Sequence, residues 1–590
     1  MARRRRPWEA VSVGLGAGLA GLAMVGVVGF LVAGVRSGPV SWVELVTSPV
    51  WDPPSGQFGA TAMIWGTAVV AALALALAAP VGWAAAIAIH EVAPVRWRRR
   101  LRTGCELLAV VPSIVYGLLG VAFLRPLVSD VAGVPGGDSL LTAGLVLAVM
   151  VLPTVVAVSV DALAGVSVAT REAAAACGLR RSEVIRSAVV PEARRGMGAG
   201  ALLGLARALG ETIAVYLVVG RADGLVPSGV SDAVTRVVHP GQTLTTKLNG
   251  PETVLAGTSG SHWAALCALG LLLLAVVAAV TVVGQRHARH PQRRSMYSRV
   301  LREGVRGARR GRSARDVISR AALAGVLAVP LALVAGIAVV ALTKGRVVLH
   351  PGFWSTSALG ASGGGIRGQL AGTLLLVAIA GLLAAPSGLA IGLLIAEYAG
   401  PRTARRLQTL TLTLGGVPSI LLGLWGYWLF SSRLGWGKSW LAGAVALSVI
   451  AVPPVALAVA ATIAALPGDR REAALAVGLR RDQIVRSVLV PHAIPGLVTG
   501  LLLGLARAAG ETAPLLFTAT VFSGAPTLPT GIRNSPVTSL PTHIFSLAQD
   551  TADPAALRTA WGAAVVLMAV AGLLALLAVP VRRRVEARTA

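Results

Sequence analysis

Acidic residues are scarce in this chain of 590 residues, where 25 Asp and Glu stand against 53 Lys and Arg, and charged residues of both signs make up only 13%. Lysines number three, aromatic residues reach 4%, and there are three cysteines. So small a charged fraction cannot clothe a soluble domain, where about a quarter of residues carry charge. The near absence of lysine reads as a genomic bias. Cys105, Cys177 and Cys267 show no CxxC spacing, which excludes a disulfide framework or a metal knot. What is present instead is apolar: 55% hydrophobic residues, 69 glycines and a mean hydropathy of +0.75.

Runs of about 20 apolar residues, enough to cross roughly 30 Å of hydrocarbon as helices, recur along the chain. They predict an all-α polytopic membrane protein of about twelve transmembrane helices, near 11–34, 66–90, 104–124, 139–162, 198–219, 263–285, 319–342, 368–396, 407–430, 440–463, 497–519 and 559–580. The first run follows MARRRR, exceeds a signal-peptide core and has no small-residue cleavage site after it, so it reads as a retained helix. With both termini cytoplasmic, 39 of the basic residues fall on inner segments, counted through Arg320, against 12 in outer loops and 2 within the membrane. That asymmetry obeys the positive-inside rule and places the chain in the cytoplasmic membrane in this orientation. Basic stretches such as Arg98 to Arg100 and Arg309 to Arg312 have no interleaved aromatics, which argues against a nucleic-acid partner.

The chain repeats itself. Residues 171–191, REAAAACGLRRSEVIRSAVVP, match REAALAVGLRRDQIVRSVLVP at 471–491 in 13 of 21 positions, and LLGLARALGET at Leu202 matches LLGLARAAGET at Leu502 in ten of eleven. Earlier pairs, one ending at Glu91 and Glu397, the other beginning VPSI at 111 and 417, are offset by 306 rather than 300. The first half therefore carries six extra residues, expected in an outer loop near Pro126 to Asp138, where insertion costs little. Two six-helix halves in one orientation follow: 1–285, a basic linker at 286–318, and 319–590. Arg286 to Arg320 hold twelve Arg, a positive-inside tether able to touch anionic headgroups of membrane lipid at about 1 kcal/mol per basic residue.

Catalytic patterns fail on inspection. GAGLAG at Gly16 to Gly21 lies inside the first span with no strand before it and suits helix packing. GWGKS at Gly435 to Ser439 lacks the first glycine of a phosphate loop, and HEVAP at His90 has Pro94 where a zinc site needs its second His. No metal site and no nucleotide-binding domain are indicated.

The stretch REAAxAxGLRR, with Pro 19 residues after its Glu, predicts a short helix ended by Gly178 or Gly478 in positive φ, then a second basic helix to Pro191 or Pro491. Such a helix-turn-helix suits docking of a cytoplasmic partner. It resembles the EAA loop of ABC-importer membrane subunits, which inserts into a groove of the ATPase subunit. That resemblance implies that Glu172, Ala173, Ala174 and Gly178, with Glu472, Ala473, Ala474 and Gly478, couple ATP hydrolysis to transport.

In the fifth span of each half, Gly196, Gly200 and Gly204 recur as Gly496, Gly500 and Gly504, a spacing for close helix packing. At 100° per residue Arg207 and Glu211 share the glycine face. Charges at mid-membrane cost about 2.5–3.5 kcal/mol even on the lenient scale, so this face turns inward. Either the two charges neutralise each other across one turn, or they line a substrate route. In the second case Arg207 and Arg507 face each other across a pseudo-two-fold axis, and paired guanidiniums suit a tetrahedral oxyanion.

The RAxGET signature resembles the phosphate-specific ABC importer permeases, the PstC and PstA subunits, here joined in that order. The resemblance implies transport roles for Arg207, Glu211, Arg507 and Glu511, two copies of a cytoplasmic ATPase subunit that uses the ATP, an extracytoplasmic phosphate-binding protein, and no cofactor on this chain. It is a transport permease on this reading, not an enzyme. Thr212 and Thr512 stand where sulfate and molybdate permeases carry aromatics, which favours phosphate. A Glu beside the Arg accepts a hydrogen bond from protonated phosphate and repels sulfate, which has no proton to offer. The alternatives are a permease for sulfate, molybdate or phosphonate, and a membrane scaffold for phosphate sensing.

Overall fold

The computed structural model describes residues 24–289, 314–356, 358–359, 363–521, 529–550 and 553–589. The start of the first expected span, with GAGLAG, and most of the linker lie outside them. The described chain is helical apart from two-residue strand pairs, Trp51–Asp52 with Gln57–Phe58 and Ala358–Leu359 with Gly363–Gly364, an outer hairpin that recurs in each half.

Among the described residues nine helices are long and apolar enough to cross a membrane, or ten if one bent pair is a single span, against the twelve expected. The first half supplies α1 (Met24–Val35), α2 (Thr61–Val92), α3 (Val95–Leu108), α4 (Ser113–Ala132), α5 (Leu140–Ala164), α6 (Val168–Ala176), α7 (Val190–Gly210) and α8 (Gly260–Ala288). The second half supplies α9 (Ala322–Lys344), α10 (Arg367–Tyr398), α11 (Pro401–Gly415), α12 (Ser419–Arg433), α13 (Trp440–Ala464), α14 (Gly468–Ala476), α15 (Arg481–Ala509) and α16 (Pro554–Val581). The three shortfalls have separate causes. Helix α1 is described only from Met24, α7 carries too many charges, and α11 with α12 bend by 87° at their junction.

That bend corrects the expected continuous spans at 104–124 and 407–430. Pro112 and Pro418 stand before α4 and α12, where proline cannot extend a preceding helix, so the basic helices α3 and α11 end and a new helix starts. The inserted residues near Pro126 to Asp138 are also not all loop, for α4 stays helical to Ala132 before Arg125 closes the turn on Asp138 at 2.8 Å. Nor does the basic helix after Gly178 stop at Pro191. Helix runs from Arg181 to Gly210 through a wide turn at Ile185–Val189, whose i to i+5 bonding accommodates a proline that cannot donate. Wide turns recur at equivalent places, Ala88–Val92 with Leu394–Tyr398 and Ile185–Val189 with Val485–Leu489.

The halves interlock through their first helices. Helix α1 sets Phe30 against Trp263 of its own half and Trp428 of the other, at 6.0 and 5.4 Å between ring centres. Helix α9 buries Leu327 in an apolar cluster otherwise built from first-half residues. One large core spans both halves, and a smaller one lies beneath each coupling loop.

The glycine stripes draw the fifth span of each half against the fourth. A Cβ on Gly196 would meet Ala162 Cβ at 2.5 Å, on Gly200 Val158 Cβ at 3.2 Å and on Gly204 Val151 Cγ1 at 2.6 Å. On Gly496, Gly500 and Gly504 it would meet Thr462 Oγ1 at 2.2 Å, Val455 Cα at 2.8 Å and Ala451 O at 3.0 Å. Backbone cannot retreat as a side-chain tip can. Gly500→Val is expected to cost about 1–3 kcal/mol by overpacking and to lower the thermal midpoint of the purified protein. Gly198→Ala, where a Cβ meets nothing within 4 Å, should leave that midpoint unchanged or raised.

Candidate functional site

Both RAxGET segments end a helix rather than continue it. Helix α7 stops at Gly210, Glu211 is extended at φ −76° and ψ 132°, and a new turn starts at Ile213. Helix α15 stops at Ala509, and Pro514 heads the next helix, Ala513–Thr518. The expected spans 198–219 and 497–519 are therefore broken, and Glu211 does not sit on the helical face that carries Arg207. In the second half Pro514 disfavours helix upstream of it. In the first the Glu211 carboxylate accepts from the Ala214 amide at 3.5 Å, satisfying a donor at the start of the new turn.

The broken ends meet between the halves in a reciprocal way. A Cβ on Gly210 would lie 3.6 Å from Pro418 Cα, and one on Gly510 would lie 3.1 Å from Pro112 Cα. Each half thus sets its Gly-Glu break against the VPSI break of the other. The four charges fall within one electrostatic cluster, in which Arg207 feels Arg507, Glu211 and Glu511, and Glu211 feels Glu511. Arg207 lies deep among protein atoms yet keeps partial accessibility. The Arg507 side chain is 50% exposed.

The two members are not equivalent. Arg207 Nη1 donates to Thr154 Oγ1 at 3.3 Å, and the Glu211 carboxylate, besides the Ala214 amide, accepts from Ser113. Arg507 Nε instead pairs with Glu511 Oε1 at 3.7 Å, and its Nη1 donates to Gly415 O at 3.4 Å. The repeat puts Pro454 where the first half has Thr154, which removes the hydroxyl partner. Ser113 was legible as the third letter of VPSI, repeated as Ser419; Thr154 had no sequence signal because its counterpart differs.

The coupling loops are helix and turn as the sequence requires, with φ of +78° at Gly178 and +83° at Gly478. Glu172, Ala173 and Gly178, like Glu472, Ala473 and Gly478, are exposed. Ala174 and Ala474 are not. At 1% and 7% exposure they anchor α6 and α14 on the body of the protein and cannot face a partner.

Sequence reasoning missed what holds these helices down. Glu91, at the inner end of α2, pairs with Arg171 at 3.1 Å, and Arg181 donates to its carbonyl. Glu397 repeats the arrangement with Arg471 at 3.3 Å and Arg481 at 3.4 Å. The aligned Glu91 and Glu397, each followed at one offset or the other by REAA and GLRR, were the available signal.

This duplicated architecture finds its match among known proteins. Residues 78–289 and again 388–589 match the family described as binding-protein-dependent transport system inner membrane component. The chain belongs to that family. It is a multi-pass inner-membrane permease of an ABC importer, not an enzyme; permeases of this kind bind no cofactor, leave ATP hydrolysis to a separate subunit, and work with a binding protein. The phosphate transport system permease protein PstC of Mesorhizobium japonicum is 32% identical over 261 residues, covering 41% of this chain and 77% of that protein. The probable ABC transporter permease protein YqgH of Bacillus subtilis is 35% identical over 255 residues, 43% of this chain and 78% of that one. The phosphate transport system permease protein PstA 2 of Mycobacterium bovis is 36% identical over 201 residues, 33% of this chain and 67% of that one. No solved structure matches.

Hydrogen bonds to charged groups contribute about 1.5–3 kcal/mol, so the clamp on the permease's coupling helix is measurable. Glu91→Gln should raise amide hydrogen exchange across Val168–Ala176 at least tenfold while leaving Gly468–Ala476 unaffected.

Proposed function

We propose that this permease moves inorganic phosphate inward by alternating access, as a PstC-like half of residues 1–285 joined through the basic linker 286–318 to a PstA-like half of 319–590. One observation carries the reading. Arg207 and Arg507 come from equivalent helix ends and share one charge cluster at the junction of the halves. A dianion moving through low dielectric needs fixed positive charge, and guanidiniums supply it without titrating. Release requires that the hold be weak, and Glu211 and Glu511 provide competing negative charge. The names of the PstC and PstA 2 relatives support phosphate over other oxyanions.

On this reading both termini are cytoplasmic, two copies of an ATPase subunit dock on the exposed Glu172, Ala173 and Gly178 and on Glu472, Ala473 and Gly478, and an extracytoplasmic phosphate-binding protein delivers substrate from the outer face. Ala174 and Ala474 act by seating the docking helices rather than by touching the ATPase.

Radiolabelled phosphate uptake by cells carrying the permease with its ATPase and binding protein tests the assignment. Arg207→Gln and Arg507→Gln should each lower uptake at least tenfold at unchanged membrane abundance, and full uptake by the double variant would refute it. Glu211→Gln and Glu511→Gln should admit sulfate as a competitor of phosphate; unaltered selectivity would remove the proton-acceptor role of the carboxylates.

A further inference from the structure

A cavity of about 500 Å³ lies beneath the first coupling helix, between α6 and the inner end of α2. Its charged lining is His90, Glu91, Arg98, Arg171 and Arg181, and Ala175 faces it from α6. The Glu91 carboxylate neutralises Arg171. Among the described residues Arg181 donates to the Glu91 carbonyl, and Arg98 spends its Nε on the Ala93 carbonyl at 3.1 Å. Two guanidiniums thus line an open space with, among the described residues, no carboxylate bound to either, and His90, whose Nδ1 bonds Glu91 Oε1 at 2.9 Å, leaves its Nε2 as a third nitrogen site.

The duplication supplies an internal control. The clamp on Glu397 is preserved, yet the second half has Ala396 for His90, Ala404 for Arg98 and Leu475 for Ala175. Tyr398 stands there in place of Val92, and its ring stacks under Arg481 at 4.8 Å. In the second half Arg481 is held by the Glu397 carboxylate at 3.4 Å as well as by that aromatic face, whereas the first half leaves room at Arg181 and adds Arg98. The second-half clamp forms without a counterpart of either residue; in the first half His90 joins the clamp through Glu91, so Arg98 is the added charge at the cavity that calls for another occupant.

We propose that this cavity binds a phosphoryl group, an oxyanion of tetrahedral shape and double negative charge, distinct from the anion at the Arg207 and Arg507 centre. Arg98 and Arg181 hold its oxygens, with His90 as a further donor, and its charge braces α6 against α2. The group comes from one of two sources, free phosphate or the headgroup of an anionic lipid at the membrane face where α2 ends.

The test uses the purified full-length permease carrying Arg207→Gln and Arg507→Gln, so that the central site does not contribute. In lipid-free detergent, radiolabelled phosphate binding is measured at equilibrium; in parallel, native mass spectrometry counts phosphatidylglycerol retained from nanodiscs. Two cavity variants copy the second half, Arg98→Ala and Ala175→Leu. Saturable phosphate binding weakened at least tenfold by both variants supports the proposal with free phosphate as occupant. Retained phosphatidylglycerol lost in both variants supports it with lipid as occupant. Binding of neither ligand, or binding that both variants leave intact, overturns it. Elution as a monodisperse species, and phosphate binding that persists at the central site when Ala175→Leu is made with Arg207 and Arg507 present, separates a filled cavity from a misfolded chain and from failure of the central site.

Discussion

A charge held inside a membrane protein must face water, a counter-charge or cargo, because hydrocarbon solvates none of it. Arg207 and Arg507 impose that requirement on the whole permease. Their helices must end at the junction of the halves, which the broken backbone at Gly210 and Gly510 achieves. The glycine stripes must bring each of these helices against its neighbour closely enough to fix the guanidinium's height. The VPSI breaks must stand opposite, and Pro418 and Pro112 pack there against the two glycines.

Fusing two related halves permits what a pair of identical subunits cannot, a different setting for each member of a pair. Thr154 steadies Arg207, while Arg507 leans on Glu511. Elsewhere, Lys247 is buried between Asp223 and Glu252 with Trp51 against it, and the equivalent position of the second half is His543. The coupling loops share their clamps but differ in the cavity beneath. The backbone breaks at the junction keep the symmetry, whereas the side chains around each charge do not.

Much of this was legible in the letters. Repetition at offsets of 300 and 306 exposed the two halves, and Gly178 and Gly478 needed no structure to be read as turns, because only glycine takes that φ without strain. The span count was less legible. Apolar windows cannot see a proline that splits one run into a basic surface helix and a true span, as at Pro112 and Pro418. The wheel that put Glu211 beside Arg207 assumed a helix past Gly210, and local competition for amide donors ended it there. Ala174 and Ala474 entered the coupling set through the resemblance to the EAA loop; their burial shows that a motif residue can serve the seat rather than the surface. The Glu91 and Glu397 clamps were hidden because each joins residues about 80 positions apart.

The central claim is that one passage holds both guanidiniums. Bifunctional thiol cross-linking tests it most directly, with cysteine in place of Arg207 and Arg507, serine in place of Cys105, Cys177 and Cys267, and a protease site placed within 290–313. A water-soluble short-spacer reagent should bridge the two positions, so that the halves remain joined on a denaturing gel after the linker is cut. Separation of the halves despite labelling at both cysteines, or failure of either to react, would contradict the account.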